Sequence, residues 1–294
     1  MRGLSSGGVD LARRRQLLVF DRFLARIAVV LGAAATLKGG LALEIRLERA
    51  RTTKDVDLRM SGAADEVSAR LKDAARLDLA DFMQFEVGVD EDHPEIRNDG
   101  MPYDGIRFRA ECNLAGKIYG RRFGVDVAFG DPILGEPDVV SAEDVLGFAG
   151  IAPPKLRLYP VESHVAEKLH AYTLPRKRPN SRIKDLPDIA LLATVKPLEG
   201  TRLREALDRT FQYRKTHDVP KWLPAPPESW VKPYASMARD DLLPWTTLAE
   251  ALAAASAFLN PVLAAMTIDA WDPATWAWSR NPVLPPSHGS ADAP

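Results

Sequence analysis

Two short motifs in quick succession constrain this 294-residue chain more than any other feature: Lys38-Gly39-Gly40-Leu41-Ala42-Leu43, then Arg51-Thr52-Thr53-Lys54-Asp55-Val56-Asp57. The apolar run 33–37 reads as a strand or extended segment and the glycines as a turn. Leu41, Leu43, Ile45 and Leu47, set among Glu44, Arg46 and Glu48, read as a helix. Residues 52–60 then alternate, with Thr53, Asp55 and Asp57 on one side and Val56 and Leu58 on the other, the period of a strand with one buried face. An extended segment, a glycine turn, a one-helix return and a strand in so short a span commit this part of the chain to an α/β arrangement. The chemistry is equally specific. Glycines opening a helix let backbone amides approach a phosphate, and the helix N-terminus adds partial positive charge. Asp-Val-Asp directs two carboxylates to one point, as needed to hold Mg2+ against a nucleoside triphosphate.

The remaining pattern supplies neighbours for this unit. Leu17, Phe20, Leu24 and Ile27 mark an amphipathic helix over 11–31. A helix is expected over 66–79, a strand over 82–89, and neighbouring strands over 106–114 and 122–129, joined through Gly116 and Gly120; the second carries Asp126 between Val125 and Val127. Ser141 with Glu143 and Asp144 reads as a helix cap. From Pro160 the pattern turns helical, over 161–174, 186–194 and 201–211, with a basic loop at 175–182. All six tryptophans follow residue 217, and a helical domain with proline-pinned loops and a disordered tail after about Pro282 is expected there. The tryptophans read as packing anchors rather than base-stacking platforms.

Charge and cysteine content exclude several classes. Lys plus Arg total 39 against 40 Asp plus Glu, so the chain is neither histone-like nor an acidic solvating protein. Locally the balance shifts: residues 168–215 hold twelve cations and five acids, whereas the segment after 216 holds four against eight. The single cysteine, Cys112, forbids an internal disulfide or thiolate metal cluster; it reads as a buried small hydrophobe in a cytoplasmic protein. No secretory-type apolar run precedes Arg13, Arg14 and Arg15. Residues 27–37 are too short to span a bilayer, and 251–268 are interrupted by Asn260-Pro261, giving two helical pieces and no membrane span. His164 and His170 are six apart and do not share a face as zinc ligands would.

Residues 38–43 and 51–57 resemble the K-G-G-x-A-L and R-x-T-x-D-x-D motifs of the AbiEii/AbiGii toxin family, MenT-like nucleotidyltransferases of bacterial toxin-antitoxin systems within the DNA polymerase beta superfamily. Leu41 stands where the family often has Ser or Thr, removing one hydroxyl contact to a phosphate. The resemblance continues through Asp126, Lys168 in Glu167-Lys168-Leu169-His170-Ala171, and the segment Lys184-Asp185-Leu186-Pro187-Asp188. It implies an α/β (α+β) nucleotidyltransferase core with a mixed sheet over 1–155 and a mainly helical C-terminal domain over 156–294. Asp55, Asp57 and Asp126 would hold Mg2+ or Mn2+, and Asp126 could also take the proton of an attacking hydroxyl. Lys168 and Lys184 would neutralise the departing pyrophosphate, with Asp185 and Asp188, three apart on one helix face, orienting Lys168. Lys38, Gly39 and Gly40 would bind nucleotide. Thr53 would either touch a phosphate or pair across strands. Arg176, Lys177, Arg178 and Arg182 would meet RNA. The implied function is a monomeric cytoplasmic toxin that moves a nucleoside monophosphate from an NTP to the 3' acceptor end of tRNA, blocks translation, and is neutralised by a cognate antitoxin. The alternatives are nucleotidylation of a small antibiotic-type molecule, or a non-catalytic nucleic-acid-binding protein on the same fold.

Overall fold

The computed structural model describes residues 4–47, 53–94, 105–130, 132–177 and 179–279, without the side chains of residues 4–10. Arg51, Thr52, Arg178 and the expected disordered tail lie outside the described residues.

Helix α1 (Leu4–Leu31) begins ahead of the periodicity that announces it and runs through a 3-10 turn into β1 (Ala35–Lys38). Helix α2 (Gly39–Arg46) follows without a loop, and β2 (Val56–Met60) returns antiparallel to β1, setting Lys38 opposite Asp57. Next come α3 (Ala64–Arg76), β3 (Met83–Val89), β4 (Gly105–Leu114), β5 (Lys117–Ile118), β6 (Phe123–Phe129), β7 (Asp138–Ser141) and β8 (Lys155–Leu158). The strands form one mixed sheet in the order β3-β4-β6-β2-β1-β8-β7, with β5 beside β4. β6 runs parallel to β2, and β8 parallel to β1.

Alternation decides what each face of this sheet does. Val56, Leu58 and Met60 on β2, and Val125 and Val127 on β6, meet Phe20, Phe23 and Leu24 of α1 and Val67 and Leu71 of α3 in one core. Asp57, Asp126 and Arg107 therefore belong to the opposite face. The core side is tied polarly as well. Arg26, with no exposed surface, grips Asp81 through two bonds of 2.8 and 2.7 Å while Arg22 adds a third at 2.8 Å, fixing α1 to the entry of β3.

Beyond the sheet lie α4 (Val161–Thr173), α5 (Asp185–Leu192), β9 (Leu198–Glu199), α6 (Gly200–Arg214), α7 (Val231–Asp240), α8 (Leu248–Leu263), β10 (Ala270–Asp272) and β11 (Ala277–Trp278). Their apolar faces make a second core, which Leu43 of α2 and Leu134 join from the sheet side. The sheet itself ends at Leu158, so β8 runs past residue 155. Five tryptophans pack in or against the second core. Fully buried Trp271 donates its indole N–H to Ala193 at 2.8 Å, Trp278 donates to Phe258 at 2.8 Å and Trp230 to Asn180 at 2.9 Å; Trp222 is exposed.

Three local expectations need correction. Helix α8 passes through Asn260-Pro261 unbroken, because Pro261 sits in its last turn, where the missing N–H costs a single helical bond. Ser141 caps no helix: its backbone is taken up by β7 opposite Lys155, and only a 3-10 turn at Gly147–Ala149 follows. A three-stranded sheet, β11-β10-β9, stands where helices and loops are expected, its strands being too short to show a period. Among the described residues no helix is long and apolar enough to cross a membrane.

Candidate active site

The β1–α2 corner requires its glycine. Gly39 has φ of +67°, and a Cβ there would lie 1.9 Å from Asp57 Oδ2. Lys38 occupies the helix N-cap with no side-chain cap bond, so no capping side chain covers the first-turn amides of α2. Asp55 stands in the bend before β2 rather than on the strand; its Oδ1 accepts the Gly124 N–H at 3.1 Å, and a Cβ on Gly124 would fall 2.8 Å from that oxygen. Thr53 also precedes the strand. It is buried, its hydroxyl donates to the Asp55 carbonyl at 3.3 Å and its N–H to Glu44 at 3.4 Å.

Parallel pairing of β2 and β6 puts Asp57 and Asp126 at the same register. Burial, and then repulsion from Asp126, push the Asp57 carboxyl up to about 6, although Lys38 and Lys168 pull it down. Arg107, opposite Asp126 across the β4–β6 ladder, donates Nε and a terminal nitrogen to both Asp126 oxygens at 2.7 Å each. That pair raises the guanidinium above its ordinary value.

The helical side supplies the facing wall. Lys168 on α4 donates to Asp185 at 3.1 Å and to Asp188 at 2.7 Å, the two acids one turn apart in the first turn of α5. Asp188 has no exposed surface and lies behind Lys168. Glu167 accepts from Lys38 at 2.9 Å and pairs with Arg214 at 3.3 Å, bridging β1 to α6. One turn before Lys168, His164 is 1% exposed and neither ring nitrogen has a hydrogen-bond partner among the described residues; burial, then the Lys168 charge, hold it well below its usual value and therefore neutral.

These walls enclose a cavity of about 650 Å³ lined by Lys38, Gly39, Gly40, Thr53, Asp55, Asp57, Asp126, Lys168, Arg176, Arg182, Lys184 and Asp185, all singled out in the sequence. Asp188 and exposed Lys177 are not part of the lining. Sequence reasoning missed Lys54, Arg107, His164, Glu167 and Arg214, which also line it. Lys54 and Glu167 adjoin motif residues and were within reach. Arg107 and Arg214 are brought in by strand register and helix packing, which no local pattern encodes. The lining carries eight cations (Lys38, Lys54, Arg107, Lys168, Arg176, Arg182, Lys184, Arg214) against five carboxylates (Asp55, Asp57, Asp126, Glu167, Asp185).

Among the described residues, no group of three or more His, Cys, Asp or Glu is arranged to hold a metal ion: Asp126 is turned to Arg107 and Asp55 to Gly124. The donor chemistry nevertheless suits a hard divalent cation. All three groups offer carboxylate oxygen, glycines leave room beside Asp55 and Asp57, and Asp126 already holds a cationic stand-in.

The family model described as "Nucleotidyl transferase AbiEii toxin, Type IV TA system" matches residues 22–269. Among solved structures, MenT4, a nucleotidyltransferase toxin from Mycobacterium tuberculosis H37Rv, is similar over 91% of this chain and 92% of its own, at 16% identity and a TM-score of 0.57, a likeness of fold. JHP933 from Helicobacter pylori aligns over 87% of this chain and 92% of its own, at 14% identity and a TM-score of 0.45. None of the curated proteins matches. A family match spanning most of both cores settles membership: the chain belongs to the AbiEii nucleotidyl transferase toxin family.

Proposed function

We propose that this chain is a metal-dependent toxin that transfers a nucleoside monophosphate from an NTP to the 3' acceptor end of tRNA and so stops translation. The observation that carries the reading is the meeting, across one cavity, of Asp57 and Asp126 with a lysine locked by two acids, Lys168 on Asp185 and Asp188. The amides opening α2, with Lys38, Lys168 and Lys184, surround the triphosphate and offset charge that grows on pyrophosphate. A divalent ion, Mg2+ or Mn2+, held by Asp55, Asp57 and Asp126 would stabilise the attacking and leaving oxygens at the α-phosphate. Asp126, on the same wall as Asp57, is the carboxylate that would accept the proton of the attacking hydroxyl. Arg176 and Arg182, with Lys177 and Arg178 in the same stretch of sequence, would offer an anionic acceptor its backbone contacts. The excess of cations over carboxylates in the lining favours a nucleic acid over a cationic small molecule.

In the cell the protein acts in the cytoplasm as a monomer, held in check by a cognate antitoxin. Its two cores correspond to a nucleotidyltransferase unit and a helical unit with the junction at Tyr159-Pro160, the cavity lying between them. The test is to incubate purified protein with total tRNA, Mg2+ and each α-labelled NTP. Label on tRNA that disappears in Asp57→Asn and Lys168→Ala supports the reading. If no NTP labels any RNA while the protein still binds nucleotide, tRNA transfer is refuted. Equal growth arrest by wild type and Asp57→Asn would refute a catalytic toxin.

A further inference from the structure

Arg107 is placed where a metal-binding carboxylate would ordinarily have none. It is the cross-strand partner of Asp126, and its fork takes both carboxylate oxygens at 2.7 Å, the bidentate geometry that fills the side of the carboxylate a chelated cation would take. The pair differs from the Arg26–Asp81 grip on the core side of the sheet. Arg26 and Asp81 are 0% and 1% exposed and cannot part without opening the core. Arg107 is 41% exposed and Asp126 20%, so the guanidinium can swing into the cavity without disturbing packing. The neighbouring cations have acids of their own, Lys38 on Glu167 and Lys168 on Asp185 and Asp188. Arg107 is thus the cation that offsets Asp126 directly, in a place where Asp57 stands at the same register and Asp55 adjoins.

We propose that Arg107 is a built-in counter-ion of the site: its guanidinium occupies Asp126 in the metal-free protein and is displaced when a divalent cation binds. The inference rests on the reading of Asp55, Asp57 and Asp126 as the cation-holding carboxylates, and deepens it. The two cations compete for the same oxygens, so the arginine lowers metal affinity and offsets part of the negative charge at Asp126 until metal arrives. Released, it stays on the cavity wall as a positive group.

Mn2+ binding to the full-length protein without nucleotide, followed by electron paramagnetic resonance of the free ion, tests this directly. Arg107→Met removes the competitor, and about fivefold tighter Mn2+ binding is expected, the size of a partly solvated bidentate pair. Arg109→Met is the control for bulk charge. It removes an equal charge two residues along the same strand face, where Arg109 holds Asp90 at 2.9 Å, and should leave Mn2+ affinity within about twofold under screening. Circular dichroism confirms that both variants fold. Unchanged or weaker binding by Arg107→Met overturns the proposal, as does equal tightening by Arg109→Met, which would reduce the effect to general electrostatics. If wild type binds no Mn2+, or Asp57→Asn binds it equally well, the carboxylate reading fails and takes the inference with it.

Discussion

Asp57→Asn should make the metal-free protein more stable while destroying its activity. In the folded chain burial and the facing Asp126 raise the Asp57 carboxyl from 3.8 to about 6. At about 1.36 kcal/mol per pH unit this is a penalty of about 3 kcal/mol on the charged form. The sign follows from linkage. A carboxyl with a raised folded pKa binds its proton more tightly in the native state, so its contribution favours folding below pH 3.8, declines between 3.8 and about 6, and is wholly lost above that. Asparagine keeps the shape without the charge but gives back about 1 kcal/mol in poorer hydrogen bonding. The net expectation at pH 8 is a gain of about 2 kcal/mol, or about 3 °C in melting temperature for a chain of this size. At pH 4 the gain should vanish. Urea unfolding in EDTA at both pH values measures it. A variant no more stable than wild type at pH 8, or equally stabilised at pH 4, would refute the assignment of strain to the Asp57 charge. Labelling of RNA should be lost in the variant at every pH, and in wild type at sub-saturating metal it should fall as pH drops through about 6.

Asp81 should show the opposite pH slope. Burial raises it, but bonds from Arg26 and Arg22 outweigh this and hold it at about 2, so its contribution is present above 3.8 and lost as pH falls toward 2. Asp81→Asn should cost about 3 kcal/mol at pH 7 by urea unfolding, and far less at pH 2. Gly39→Ala forces a Cβ to 1.9 Å from Asp57 Oδ2 at φ of +67°, and should lose about 2 kcal/mol or more together with nucleotide binding by calorimetry. Lys168→Met strands buried Asp185 and Asp188 together and should cost about 3 kcal/mol at neutral pH, with a second substitution, Asp188→Asn, recovering part of it.

The parts of the fold that were legible are those where one period, one turn and one chemistry coincide. Gly39 followed by a helix and an alternating strand predicted the β1–α2–β2 unit, and the alternation of Val125, Asp126 and Val127 predicted the β6 strand, whose place beside β2 only the fold supplies. Asp185 and Asp188 on one helix face were readable because i, i+3 spacing is a local property. Register is not local. Nothing in the sequence ties Arg107 to Asp126 or Arg214 to Glu167; those contacts exist because β4 pairs with β6 at one register and α6 packs beside α4. The strands of the small second sheet, two or three residues each, never complete a period and are held by Trp271 and Trp278 packing instead.

The twelve cations over residues 168–215 show why a segment's net charge is a poor guide to a binding face. Lys168 and Arg214 are drawn into buried pairs with Asp185, Asp188 and Glu167; Arg204 and Arg209 are answered one turn away by Asp208 and Glu205, and Lys196 by Asp138. Five of the twelve cations therefore orient the fold, and two of the acids that answer them, Glu167 and Asp138, lie outside the segment and never enter its charge count. At the cavity, Arg176, Arg182 and Lys184 enter from a loop and Lys54 from the approach to β2, so the cationic lining comes from both cores rather than from the basic segment alone.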